Sequence, residues 1–183
     1  MDRAAIVAAL EALVPGAGVR AVPSIDQPTI VVPPAQLLPV CTALRDAPGL
    51  AFTALVDVIG VDLLPRSPRF EVNYHLVAPD IPARLRVKVL LGGDTPRVSS
   101  VTGIWPSAGF LEREVWDLMG VVFDGHPDLR RLLTPDDWEG HPLRKDYPVQ
   151  VSVPVKFHEP LQLTEQQFRA NLERDRRVRS TDV

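Results

Sequence analysis

The stretch Phe70–Leu91, FEVNYHLVAPDIPARLRVKVLL, decides the fold. Phe70, Val72, Tyr74 and Leu76 alternate with Glu71, Asn73 and His75; beyond the turn, Leu85, Val87 and Val89 alternate with Arg84, Arg86 and Lys88. Successive side chains on a strand point to opposite faces, so both runs read as half-buried strands with one polar face. The link Pro79–Ala83 is short enough for an antiparallel hairpin. Phe52–Leu63 is more continuously apolar and is expected to sit centrally beside them, which makes three adjacent antiparallel strands.

Toward the N-terminus, Ala4 to Leu13 reads as a helix ended by Pro15, Gly16 and Gly18, and Val19–Val22 and Thr29–Val32 read as short strands. Leu37, Leu38, Cys41 and Leu44 predict a second helix over Pro34–Ala47, with Pro39 disturbing its start. Toward the C-terminus, Pro106 suits a first turn. Ile104, Ala108, Leu111, Val115 and Leu118 then form one apolar stripe of a third helix, which Gly120 ends. Glu112, Arg113, Glu114 and Asp117 are expected on its other, solvated faces, with Arg113 and Asp117 paired one turn apart. The order is αββαβββα: an α+β domain over residues 1–121, with helices packed on a small, mostly antiparallel sheet. Residues 122–183 are expected to form an extended, Pro-rich partner-binding segment and tail.

That segment contains a doubled motif. Asp124, Gly125, His126 and Pro127 precede Leu129, Arg130 and Arg131; Glu139, Gly140, His141 and Pro142 precede Leu143, Arg144 and Lys145. Each copy turns the chain at Gly and Pro and then presents an imidazole with cations behind it. Apolar periodicity fades after Asp124, so the segment cannot build a core of its own and must lie on its own domain or on a partner.

Composition narrows the function. A chain of 183 residues with 45% hydrophobic content builds one ordinary core, and a formal charge of −3 without basic clusters gives no footprint for nucleic acid. The single Cys41 cannot supply an iron–sulfur cluster or a closed zinc site. Met1–Leu13 lacks a basic leader and Ala54–Val61 is too short to span a bilayer, so a cytoplasmic location is expected, with membrane contact only through partners. No dinucleotide or triphosphate fingerprint accompanies Gly92 and Gly93, and no serine has a nucleophile-elbow setting. A metal site built from His126, His141, His158 and nearby carboxylates is disfavoured by the cations following each of the first two histidines.

Glu112, Arg113, Glu114, Asp117, Leu118, Met119, His126, Arg130, Leu132 and Leu133, at their spacing here, resemble the signature of the C-type subunit of NADH:quinone oxidoreductase, the 30-kDa-type subunit of respiratory complex I. The run Trp138–Pro148 and the approach through Trp105, Pro106 and Ala108 also look like that family. Phe110 and Trp116 depart from its commoner aromatic choices. The resemblance implies a non-catalytic docking subunit of the hydrophilic arm of a proton-translocating complex, without catalytic residues, metal or cofactor of its own. NADH, flavin, iron–sulfur clusters and quinone would then reside in partner subunits. It further implies attachment to the complex's D-type subunit, which with the B-type subunit frames the quinone cavity, in a position peripheral to the cell membrane on the cytoplasmic side. The implied interface comprises Trp105, Glu112, Arg113, Glu114, Asp117, His126, Arg130, Arg131, Trp138, His141, Arg144 and Lys145. Related subunits of membrane-bound hydrogenases and of ferredoxin- or deazaflavin-dependent dehydrogenases are the alternative. A free-standing metal-dependent hydrolase using His126 and His141 is a weaker one.

Overall fold

The computed structural model describes residues 3–148 and 164–170. Helix α1 (Arg3–Leu13) leads into strands β1 (Arg20–Val22) and β2 (Thr29–Val31). A single 3-10 turn, Pro34–Gln36, opens helix α2 (Leu37–Asp46), so Pro39 falls in the α-helix's first turn, where its missing N–H leaves no gap in the ladder. Strands β3 (Ala54–Asp62), β4 (Phe70–Ala78) and β5 (Ala83–Leu91) follow. The chain continues through β6 (Arg97–Ser99), helix α3 (Ala108–Met119) and β7 (Val122–Asp124).

The main sheet has the order β1-β2-β5-β4-β3. The β3–β4 and β4–β5 pairs are antiparallel, as the alternation predicts, and Tyr74 lies between Val58 and Val87 across the three strands. β2 joins β5 in parallel, so the sheet is mixed and β5 is its middle strand. The expectation for Phe52–Leu63 is thereby corrected: β3 is the edge strand. Its apolar run does not reflect burial on both faces, for α3 covers Val58 and Gly60 while Val56 and Ile59 stand 59% and 42% exposed. One face of the sheet carries Phe70, Val72, Tyr74, Leu76, Leu85, Val87 and Val89, all fully buried with Ile6, Leu10, Leu37 and Leu44 from the helices. Each large apolar side chain buried this way contributes about 1.5–3 kcal/mol.

The compact unit runs Met1–Pro148, well past the boundary expected at residue 121. β7 pairs with β6 in parallel, Ser100 N–H donates to the Asp124 carbonyl at 2.8 Å, and Phe123 is 1% exposed. The chain just beyond the helix therefore re-enters the core. A second unit, Val149–Val183, contains the described residues 164–170, of which 165–170 are helical. Thr164 and Gln167 cap that turn reciprocally: Gln167 N–H donates to Thr164 Oγ1 at 3.3 Å and Thr164 N–H to Gln167 Oε1 at 3.0 Å. The rest of the extended tail expected after Pro148, including His158, lies outside the described residues.

Candidate interaction surface

Helix α3 ends abruptly, and the manner of its ending organises the doubled motif. Gly120 adopts φ +74°, and a Cβ there would lie 2.4 Å from Cδ2 of His141, so only glycine allows both the left-handed cap and the imidazole packed on it. The last carbonyls of a helix have no partner within it. Here the chain after β7 returns to supply them: His141 Nδ1–H donates to the Asp117 carbonyl at 2.9 Å and Leu143 N–H to the Leu118 carbonyl at 2.9 Å. Arg131 Nη1 also reaches the Asp117 carbonyl at 3.1 Å, placing a cation at the negative end of the helix dipole.

The Asp117 side chain does more than its carbonyl. It is wholly buried, and Oδ2 accepts the backbone N–H groups of Leu132, Leu133 and Thr134 at 2.9, 2.7 and 3.0 Å. Oδ1 accepts from Arg131 Nη1 at 2.9 Å and from the Thr134 hydroxyl. Burial alone would push the carboxyl up, but these donors outweigh it and hold Asp117 well below the usual carboxylate range. The expected Arg113–Asp117 pair does not form. Arg113 instead donates to the carbonyls of Arg130 and Arg131 at 2.7 and 2.6 Å, so both side chains grip the returning segment Gly125–Tyr147, the strap.

A second carboxylate fixes the far end. Asp62, at the end of β3 and 5% exposed, accepts from Arg69 Nε and Nη2 at 3.0 and 2.7 Å, from Leu64 N–H at 3.0 Å and from Lys145 N–H at 2.9 Å. Arg69 continues to Asp146 at 2.8 and 2.9 Å and lies 4.7 Å over the Phe70 ring, while Arg144 covers the same ring at 5.0 Å. Hydrogen bonds from Arg69 hold Asp62 below the usual range and lower Asp146 to about 2. No local sequence signal announces this group. Asp62 closes β3 and Arg69 immediately precedes β4, and Asp146 is 77 residues from Arg69.

Glu112 is the other fully buried acid of α3, and its surroundings are the opposite of those of Asp117. It accepts only Ser100 Oγ–H at 2.6 Å and Val101 N–H at 2.8 Å, with no cation beside it. Burial prevails over those two bonds and pushes its carboxyl up to about 7. Both acids were expected on solvated faces; both are internal. Val115 and Met119 complete the buried face, whereas Leu111 and Leu118 of the predicted stripe are only partly covered. The stripe is displaced because α3 is clasped from two sides, by the sheet and by the strap.

The remaining residues of the implied interface divide by location. Trp105 is 3% exposed and donates Nε1–H to the Phe52 carbonyl at 3.2 Å, which makes it a core residue rather than a surface anchor. Arg131 and Arg144 point inward too: Arg131 also donates to the Trp138 and Gly140 carbonyls and lies 5.6 Å over Trp116, and Arg144 reaches the Asp94 carbonyl at 3.1 Å. His126 has both ring nitrogens engaged, Nε2 with the Gly109 carbonyl at 2.9 Å and Nδ1 with Asp128 N–H at 3.0 Å. It therefore presents no free lone pair to a metal, which removes a ligand from the hydrolase alternative. Among the described residues no group of three or more His, Cys, Asp or Glu side chains is arranged to hold a metal ion. Glu114, Arg130, Trp138 and Lys145 are exposed, as are Phe110, Leu133 and Leu143 at 70%, 61% and 58%. Among the described residues no helix is long and apolar enough to cross a membrane.

Residues 30–153 match the family described as respiratory-chain NADH dehydrogenase, 30 Kd subunit. The C-type subunit of NADH-quinone oxidoreductase from Azorhizobium caulinodans is 48% identical over 147 residues, covering 80% of this chain and 69% of the relative. Its counterpart from Roseiflexus is 43% identical over 149 residues, covering 81% and 86%. Among solved structures, Nqo5 in a trypsin-resistant fragment superposes with TM-score 0.59 at 33% identity, over 70% of this chain and all of that one. A chain of an archaeal membrane-bound sulfane sulfur reductase shares the fold, with TM-score 0.69 at 23% identity over 88% of this chain and 95% of that chain. With two thirds of its length matched and close relatives that agree, the chain belongs to the 30-kDa subunit family of respiratory-chain NADH dehydrogenase, the C-type subunits of NADH-quinone oxidoreductase.

Proposed function

We propose that this chain is a non-catalytic docking subunit of a proton-translocating NADH:quinone oxidoreductase, attached to the D-type subunit on the cytoplasmic side of the membrane and close to the B-type subunit. The observation that carries the reading is how the doubled motif spends its polar groups. Asp117, Asp62, Arg113, Arg131, His126 and His141 all hold the strap against its own domain. The outer side of the strap is thereby presented in a fixed shape, and it includes the exposed Arg130, Leu133, Trp138 and Lys145. A prearranged surface loses little conformational entropy on binding, and Trp and Arg are the side chains that most often dominate an interface. NADH, flavin, iron–sulfur clusters and quinone belong in this reading to partner subunits, and this chain supports electron transfer by position. The names of the curated relatives favour NADH:quinone oxidoreductase over a hydrogenase or another dehydrogenase.

The test uses the double variant Arg130→Glu, Trp138→Ala in the full chain. Co-purification with the D-type subunit from membranes should fall at least tenfold while the thermal unfolding midpoint of the purified chain stays unchanged. Normal recovery of the D-type subunit with the double variant would remove the docking role from this surface.

A further inference from the structure

A groove of about 150 Å³ runs along the outer edge of β3, between that strand, α3 and the strap. Val58, Ile59, Val115, Leu118, Met119 and Leu143 line it, and Asp57 and Glu114 stand at its rim. We propose that this groove receives an apolar side chain from an extended segment of another subunit of the complex, with a Lys or Arg next to it in that segment. The inference rests on the docking-subunit reading and adds the second contact that such a subunit would make.

Three features define the occupant. First, β3 ends the sheet, and its apolar residues remain open: Ile59 is 42% exposed and Leu143, across the groove, 58%. An exposed apolar edge of this kind marks an association site unless something covers it. Second, the edge is poorly suited to accepting a whole strand. Ser107 Oγ–H takes the Leu55 carbonyl at 3.1 Å, the register shifts between Leu55 and Asp57, and the Asp57 carboxylate takes Val58 N–H at 2.8 Å. The N-terminal half of β3 is thus blunted, and recognition is left to side chains. The groove has the size of apolar cavities that take up one benzene ring. Third, the rim is acidic: neither Asp57 nor Glu114 has an ion pair among the described residues, whereas Asp62, Asp117 and Asp146 each have an arginine. Two unpaired carboxylates beside an apolar slot favour a cation adjoining the anchor and disfavour an acidic neighbour.

Gly60 explains why the slot lies beside the helix and not beneath it. A Cβ at that position would meet Met119 Sδ at 2.6 Å and Val115 Cγ1 at 2.9 Å, so α3 is already in contact with the strand there. The strap then walls the groove on its open side, with Leu143 N–H bonded to the Leu118 carbonyl.

A photo-crosslinking amino acid placed at position 143 of the full chain, expressed with the rest of the complex and irradiated in membranes, tests this. The expected product is one cross-link to another subunit, at a peptide in which an apolar residue adjoins Lys or Arg. Adding Glu114→Lys should lower its yield about fivefold through like-charge repulsion. Cross-linking only within this chain or to a second copy of it overturns the inference, as does assembled complex that yields no cross-link, or a yield insensitive to Glu114→Lys. In those cases recovery of the chain with the D-type subunit shows that the docking-subunit reading survives; loss of the chain from the purified complex defeats both.

Discussion

The three-stranded block Ala54–Leu91 and the strap Gly125–Tyr147 belong to one compact unit but are held by different forces. The block buries alternating apolar side chains against helices. The strap buries almost none of its own, and its backbone is instead tied to two carboxylates, Asp117 and Asp62, and to the open carbonyl end of α3. The lesson is that an apolar-poor segment acquires a fixed shape when a few buried acceptors satisfy its backbone donors. Such a segment keeps its outer side chains free for other partners.

The largest expected effect comes from removing the main clamp. Asp117→Ala leaves the N–H groups of residues 132–134 and the Arg131 guanidinium without their acceptor and should cost about 3–5 kcal/mol in urea unfolding. Proteolysis within the strap should rise with it. A loss below about 1 kcal/mol would show that the strap is held chiefly by its few apolar contacts, and the contrast with the block would collapse.

Glu112 offers a pH-dependent test on the same helix. Its folded carboxyl lies near 7 against an ordinary 4.5, so the folded state binds the proton more tightly. Its contribution is fully present below pH 4.5 and is lost as pH rises through about 7, which amounts to about 3 kcal/mol. Glu112→Gln should abolish that slope in denaturation midpoints measured from about pH 4.5 to 8. Asp117 and Asp62 act in the reverse direction, because their folded carboxyls titrate below the ordinary 3.8. Their contribution stands above about pH 4 and disappears in acid. An Asp117→Asn variant should accordingly lose part of the acid-induced fall in stability.

Smaller effects sharpen the comparison at single positions. Gly120→Ala forces a side chain into the left-handed region and into His141, and should cost about 2 kcal/mol by thermal unfolding. Arg130→Ala should change stability by less than about 0.5 kcal/mol, since its side chain is 73% exposed, and should act on recovery of the D-type subunit alone. Arg131 cannot serve as a surface probe in the same way. Its replacement would release Asp117 and confound folding with assembly.

Much of this was legible in the chain. Period-two alternation located β4 and β5 and their antiparallel pairing, and the Pro106-to-Gly120 frame located α3. The misplacement of β3 has a plain cause: an apolar run reports that a strand has apolar neighbours, not that sheet lies on both sides of it. Charged side chains on a helix usually face solvent, so the sequence points Glu112 and Asp117 outward, whereas both are buried. Nothing in the local sequence tells that the donors of residues 131–134 return to Asp117, or that Ser100 and Val101 meet Glu112.

The sequence by itself determined the five strands of the main sheet, the three helices, the family and the presence of a doubled turn, because periodicity, glycine and proline act over a few residues; the short parallel pair β6–β7 carries no such local pattern and came only with the tertiary structure. Only the tertiary structure decided which of the motif's charges are clamps and which are free. That distinction depends on groups 14–83 residues apart meeting where water is excluded, and burial with paired donors turns an acid that looks like surface into the anchor of a segment.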